Sequence, residues 1–408
     1  MQNTMPSPKW KRNAAFFIAG QFVSMFGSML VSHAVIWHIT LQEQSGGLIA
    51  LFACAAMVPM VFISPFAGVW ADRYNRKYLV NIADAAIAVI TLLVTLLFIS
   101  GIQSIWVLLI ATMLRSVGQG VQEPAANALI PQIVPEEHLA RFNGIQSTAR
   151  SLTMFAAPMA AGAMLAFLPL EVIFLIDLAT AVIGIATIFF FVKVSGVPDA
   201  RERKTGIRAY AHEMAESLRF IRSQAWLKTM LIATALFCVL ASPAAMLTPL
   251  QAARTFGEDV WRLTGIEVAF SVGMIVGGIA IAVWGGFENK VHTMIFALIL
   301  FGVTTTLFGV ILNFWVYLGV MAVCGISMSM YNAPSTTVMQ TKVPANMMGR
   351  IFSVVAMVSG LAMPLGTAVF GPLGDIVKIE ILLMVTGVLM IIGGLILSRR
   401  RELMAAGE

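Results

Sequence analysis

Charge is what this sequence has least of. Only 11% of its 408 residues are Asp, Glu, Lys or Arg, against about 25% in a water-soluble globular chain. Apolar residues make up 59%, and the mean hydropathy is +0.88. No fold of this length hides that much apolar side chain from water, so a soluble enzyme is excluded and lipid is the expected solvent. Cysteine is scarce too. Cys54, Cys238 and Cys324 are odd in number, far apart, and each inside an apolar run. That excludes a disulfide framework and leaves three small helix- or lipid-facing side chains. No cluster of Cys and His has metal-ligand spacing, and the chain lacks a Walker-type phosphate loop, an HExxH helix and a nucleophile-elbow triad. Structural zinc, ATP hydrolysis and intramembrane hydrolysis therefore have no support, and neither an enzymatic activity nor a cofactor is expected.

What is present is a series of long apolar runs. Crossing about 30 Å of hydrocarbon takes about 20 helical residues, and twelve runs qualify: 13–41, 47–70, 78–101, 104–131, 141–168, 170–193, 227–253, 263–285, 291–312, 314–341, 349–374 and 379–398. Most joining loops are very short. The one long, charged interval carries VPDARERKTGIR and then an amphipathic stretch from Met214 to Ile221. It divides the chain into an N-terminal six-helix bundle (1–195), a linker (196–226) and a C-terminal six-helix bundle (227–408).

The net charge of +6 comes from sidedness rather than from a nucleic-acid face. With the N-terminus inside, twenty-one of the Lys and Arg residues fall on the cytoplasmic side, and only Arg254, Arg262 and Lys378 fall outside. By the positive-inside rule both termini face the cytoplasm of a cell or inner membrane. The first run is too long, and lacks the small-residue cleavage site, for a signal peptide. The halves also repeat each other about 210 residues apart: PEEHLARF (135–142) with PANMMGRIF (344–352), FAAPMAAG (155–162) with LAMPLGTA (361–368), and VWADRYNRK (69–77) with VWGGFENK (283–290). Parallel repeats of six helices imply two bundles about an axis normal to the membrane, with a cavity near the midplane.

The break between the second and third runs reads GVWADRYNRK. Its Gly68, Asp72, Arg73, Arg76 and Lys77 resemble the signature loop of the major facilitator superfamily, Gly-x-x-x-Asp-Arg-x-Gly-Arg-Lys. Asn75 replaces the second glycine; Asn tolerates the left-handed backbone of a tight turn. The resemblance implies a conformational latch, with Asp72 near a helix end and the cations holding the turn. The competing reading is a positive-inside anchor with an incidental Asp.

In the fourth run Arg115 lies deep in the span. A guanidinium there is costly, about 2.5 kcal/mol or more, and normally faces a cavity or a partner. Gly118 and Gly120 permit a close helix neighbour, and Glu123 follows two turns on as a candidate carboxylate on a similar face. The superfamily has a similar arginine, assigned to proton coupling in its drug:proton antiporters, and the resemblance implies that role for Arg115. A buried structural pair is the alternative. Gly144, Pro158 and Gly162 keep three positions of the antiporter motif Gly-x8-Gly-x3-Gly-Pro-x2-Gly-Gly, with Thr153, Ala157 and Ala161 at the others; in the superfamily this motif accompanies export.

Further ionisable groups inside spans are Asp84, Arg150, Asp177 and Glu267. A carboxyl among apolar side chains favours its neutral form and can exchange a proton near neutral pH. Asp177 and Glu123 are the first candidates for that work. The alternative is that Arg150 neutralises Asp177, while Asp84 and Glu267 reach water near helix ends. His33 and His38, five apart on different faces, are expected to be packing residues. The 26 Met and 26 Phe, with Trp37, Met328, Tyr331 and Asn332 inside spans, suit a loose apolar cargo site that Glu267 would border, and are equally ordinary as lipid-facing residues.

The whole chain resembles the macrolide-efflux branch of the superfamily and the siderophore exporters near it, through ADRYNRK, LRSVGQGVQEPAANALIPQIVPEEHL, FLIDLATAVI and MGRIFSVVAMVSGLAMPLG. It implies the major facilitator fold. It also implies a monomeric secondary exporter of amphipathic small molecules, macrolide-like drugs or a related metabolite, working by proton antiport and alternating access. The alternatives are a narrow siderophore or metabolite exporter, or a uniporter or importer not coupled to protons.

Overall fold

The structure, a computed structural model, describes residues 10–194 and 207–407. The side chains at 69, 72, 136, 140, 207–214, 345, 346 and 349 lie outside that description, so Asp72, the carboxylate of the expected latch, and the linker cations Arg201, Arg203, Lys204 and Arg208 do too.

The described residues form helices and no strands. In chain order these are α1 (Trp10–Glu43), α2 (Gly46–Arg73), α3 (Arg76–Ile99), α4 (Ile105–Ile133), α5 (Leu139–Phe167), α6 (Leu170–Phe191), α7 (Ile207–Ser223), α8 (Ala225–Met246), α9 (Thr248–Phe256), α10 (Val260–Trp284), α11 (Lys290–Phe308), α12 (Phe314–Lys342), α13 (Ala345–Ile376), α14 (Ile379–Ser398) and α15 (Arg401–Ala406). Twelve spans are long and apolar enough to cross a membrane, α8 with α9 counting as one. The seventh apolar run thus contains a break at Leu247, after which Pro249, with no N–H to donate, stands in the first turn of α9.

Local chemistry sets the helix starts. Ser104 accepts from the Trp106 N–H, Asn289 from Val291, and Asn313 from Trp315 and Val316, opening α4, α11 and α12. Asn75 does the same for α3 by accepting from the Lys77 N–H, with φ −65° and ψ 113°. This corrects the expectation of a left-handed Asn75: the residue is extended, and its amide oxygen rather than its backbone makes the turn.

The helices gather into two compact units, residues 1–38 with 55–209, and residues 39–54 with 210–408. In the first, α3 packs against α4 and α6; in the second, the repeat-related α11 packs against α12 and α14. The core at one end of the first unit joins Phe17, Val80, Leu129, Ile133, Phe142 and Ile188. In the second, Ile221 of α7 packs with Leu227, Val343, Ile351 and Val354, and Glu216 pairs with Arg350 at 2.7 Å. Outward faces are apolar as well: Leu93 and Leu96 of α3, and Val385, Leu389 and Ile392 of α14, are exposed, as lipid-facing residues must be.

The second unit takes in residues 39–54, the joint of α1 and α2, which the linear six-plus-six division assigns to the N-terminal bundle. The reason is steric and electrostatic. A Cβ on Gly46 would collide with the Gly371 carbonyl, and one on Gly371 with Ala50, so α2 and α13 approach backbone to backbone, and Asp375 locks the joint as described below.

Candidate functional site

Four helices of the first unit bring polar groups to one buried point. Arg115, ten residues into α4, is 7% exposed and Asp177 of α6 is 2% exposed. Arg115 Nη1 meets Asp177 Oδ2 at 2.6 Å. The same nitrogen donates to Thr91 Oγ1 of α3, that hydroxyl lies 3.2 Å from Asp177 Oδ2, and Ser28 of α1 donates to Asp177 Oδ1 at 3.4 Å. A buried ion pair is tolerable only when its remaining lone pairs and protons find partners, which Thr91 and Ser28 supply to the carboxylate. Arg115 Nη2, by contrast, is buried without a hydrogen-bond partner.

The next residue, Ser116, anchors α4 to α2. Its hydroxyl accepts from the Met60 N–H at 3.1 Å and donates to the Ala56 carbonyl at 2.6 Å. It thus sits inside the hydrogen-bond ladder of α2 beside Pro59, an insertion of the kind that bends helices. A Cβ on Gly120 would press on the α2 backbone at Met60. The close helix neighbour expected at Gly120 is α2, and at Gly118 it is α3, where a Cβ would meet Ile87.

The ionisable residues pair differently from the expected scheme. Arg150 does not neutralise Asp177; it lies 2.9 Å from Glu123, with side chains 59% and 44% exposed. Eight residues past Arg115, Glu123 is rotated about 80° around α4, and the residue that shares the Arg115 face is Gln122, which donates to Gln21 of α1 at 2.7 Å. An exposed pair such as Glu123–Arg150 contributes about 0–1 kcal/mol. Asp84 does not reach water near a helix end: it is 5% exposed.

In the signature loop, Arg76 donates to the carbonyls of Ala71 and Ala128 at 2.9 and 2.8 Å, and Lys77 Nζ to Phe189 at 2.7 Å. These cations tie the α2–α3 turn to the ends of α4 and α6. Arg73 is exposed, and Gly68 has open space where a Cβ would stand. Gly144 likewise has no neighbour, whereas Thr153, Ala157, Pro158, Ala161 and Gly162 are buried. Of the cargo-site candidates, Trp37 is 1% exposed and edge-on to His33. Tyr331 is buried, stacked on Phe237 at 4.7 Å and bonded to Thr234. Both are packed against side chains of their own units. Met328 and Glu267 are half-buried and Asn332 is exposed.

Sequence reasoning passed over a second polar centre, in the second unit. Asp375 Oδ1 accepts from the Gly46 N–H at 2.7 Å, and Oδ2 from the Gly47 N–H and the Ser45 hydroxyl at 2.8 and 2.9 Å. Arg254 of α9 donates to the Gly374 carbonyl at 2.9 Å and to the Gln44 carbonyl, and lies 3.5 Å from Asp375. Gln44 itself is left-handed, φ 46°. A carboxylate in the last turn of α13 opposes that helix's dipole, and it is stabilised by the free N–H groups and positive end of α2. The pointer in the sequence is an acid at the end of an apolar run, GPLGDIVK, with no basic residue one turn before it.

Residues 17–367 match the family profile of the Major Facilitator Superfamily. The chain is 26% identical over 385 residues to macrolide efflux protein A of Streptococcus pyogenes, covering 94% of both. It is 25% identical over 387 residues to the multidrug efflux pump Tap of Mycolicibacterium fortuitum, covering 91% of this chain and 92% of that one. Its fold superposes on the crystal structure of a bacterial homologue of the iron transporter ferroportin with a TM-score of 0.71 at 16% identity, covering 96% of this chain and 99% of that one. With twelve apolar helices and this family match, the chain belongs to the major facilitator superfamily and is a multi-pass membrane transporter.

Proposed function

We propose that the protein is a monomeric secondary exporter of amphipathic small molecules, driven by protons moving inward, in the cell membrane with both termini in the cytoplasm. The observation that carries the reading is the buried Arg115–Asp177 pair with its Thr91 and Ser28 contacts. A membrane protein keeps such a pair at mid-span, against its desolvation cost, where charge is used. Direction is supported by the names of the relatives, macrolide efflux and multidrug efflux, and by the small buried residues of α5; orientation is supported by the Lys and Arg sidedness.

In this reading the protein opens in turn to either face. The loop Gly68–Lys77 serves as the latch for one state, and a proton taken up in the first unit changes the charge balance around Arg115. The partly altered α5 motif, with Gly144 out of contact, supports a second reading, a narrow exporter of a native metabolite or siderophore.

The test uses inside-out vesicles energised by a proton gradient, with ethidium and erythromycin as probes and a protonophore added midway. Export of either probe that collapses on protonophore addition is expected. Uptake indifferent to the protonophore contradicts proton coupling, and uptake of neither probe contradicts a broad amphipathic range.

A further inference from the structure

Six buried side-chain atoms lack a hydrogen-bond partner among the described residues, and five of them lie in the first unit: Asn13 Oδ1, Gln21 Nε2, Asn81 Oδ1, Asp84 Oδ2 and Arg115 Nη2. Counted along their helices from the end where α1 and α3 begin, they fall at successive depths. Asn13 and Asn81 stand at the end where α1 and α3 begin, Asn13 donating to the Lys193 carbonyl and Asn81 to that of Lys77. Asp84 is one turn deeper on α3. The Gln21–Gln122 pair and then Arg115 follow. Asn81, Asp84, Thr91 and Thr95 are all buried on α3, at spacings of three, seven and four that keep them on one helix face. A file of unpartnered polar atoms at successive depths is what ordered water fills.

Within this file Asp84 is the one uncommitted acid. Helices α4 and α6 pack against α3, and the ionisable groups on these three helices are accounted for. Glu123 is paired with Arg150, Glu171 accepts from Gln103, and Asp177 is held by Arg115. Arg76 and Lys77 donate to backbone carbonyls, and Tyr78 is exposed. Seven residues separate Asp84 from Thr91, about 10 Å along the helix, so an ionised Asp84 is a second negative charge near Asp177 with no cation of its own. As the neutral acid it leaves the file without net charge.

We propose that Asp84 binds and releases the coupling proton, and that Arg115, through its uncommitted Nη2, is the charge that responds to its loss. The proton comes from hydronium in the water file and returns to water, and no other bond is made or broken. When Asp84 is protonated Arg115 belongs to Asp177 alone; when Asp84 is ionised the guanidinium is drawn toward two carboxylates at different depths of one helix bundle. This deepens the proton-antiport reading and rests on it for its role in transport, but the proton site itself is testable without any cargo.

The test is infrared difference spectroscopy of the purified full-length protein in lipid, titrated across neutral pH, reading the carbonyl stretch of protonated carboxyl groups. Wild type is expected to show a titrating band. Asp84→Asn should lose it, Asp84→Glu should shift it in frequency, and Asp177→Asn, where Arg115 is freed to face Asp84, should keep a carboxyl band but move its midpoint to lower pH. A wild type with no titrating band, or an Asp84→Asn protein that retains the wild-type band, overturns the proposal. The retained Glu band guards against loss by misfolding. A band that behaves as expected in a protein whose export ignores the protonophore leaves the proton site standing and removes the antiport reading, so the two failures are distinguishable.

Discussion

Arg115→Ala is expected to abolish proton-driven export and to destabilise the first unit by about 3–5 kcal/mol, because it leaves the Asp177 carboxylate buried without its cation. Asp177 is 2% exposed, and among the described residues the Thr91 and Ser28 hydroxyls are what remains to it. Loss of folding alone would produce the same transport defect, so the informative protein is the double replacement Arg115→Met with Asp177→Leu. Replacing both members of a buried pair by apolar residues of similar volume is often neutral or stabilising, and thermal unfolding in detergent should return to wild type within about 1–2 kcal/mol. Export by that protein should still not respond to a proton gradient, since Arg115, the charge that responds to the proton on Asp84, is gone. Wild-type coupling in the folded double variant would reduce Arg115–Asp177 to a structural pair.

The second large effect is expected at Asp375. Its two oxygens take the first two N–H groups of α2, those of Gly46 and Gly47, and the Ser45 hydroxyl, each a bond to a charged acceptor contributing about 1.5–3 kcal/mol. Asp375→Asn keeps the shape, but it removes the charge at the α2 dipole and turns one acceptor into a donor facing N–H groups. A net loss of about 2 kcal/mol corresponds to a roughly 30-fold shift in any equilibrium in which residues 39–54 leave α13. Cys54, at the end of that segment, donates to the Pro364 carbonyl at 3.6 Å and is a native reporter. In a protein with Cys238 and Cys324 replaced by Ser, labelling of Cys54 by a small maleimide should speed up at least about tenfold in Asp375→Asn. An unchanged rate would mean that glycine packing alone holds the joint.

The fold was legible because hydropathy is a property of each helix by itself. Twelve spans, the charged divider and Arg115 as a mid-span cation all follow from counting along one chain, and the structure has the spans where the counting puts them. Pairing between helices was not legible in the same way. Asp177 meets Arg115 rather than Arg150, and Glu123 meets Arg150 rather than the Arg115 face. A sequence fixes the angle between two residues on one helix but leaves open which face each neighbour turns toward it. Eight residues read as "two turns" hide an 80° rotation. Asp84 shows the same limit: its distance from the start of α3 suggested access to water, whereas the packing of α4 and α6 against that face buries it. Asp375 stands out locally as an acid ending an apolar run, but its partners lie more than 300 residues away in sequence, and the run itself does not name them.

The most direct test of proton antiport is to watch the proton itself. Purified protein is reconstituted in liposomes containing a trapped pH-sensitive dye, with no membrane potential, and an outward gradient of ethidium is imposed. Ethidium leaving through the transporter is expected to draw protons in, acidifying the lumen, and Arg115→Met with Asp177→Leu to move no protons under the same gradient. Ethidium efflux at a normal rate with no lumenal pH change in the wild-type protein would contradict proton antiport and leave a facilitator.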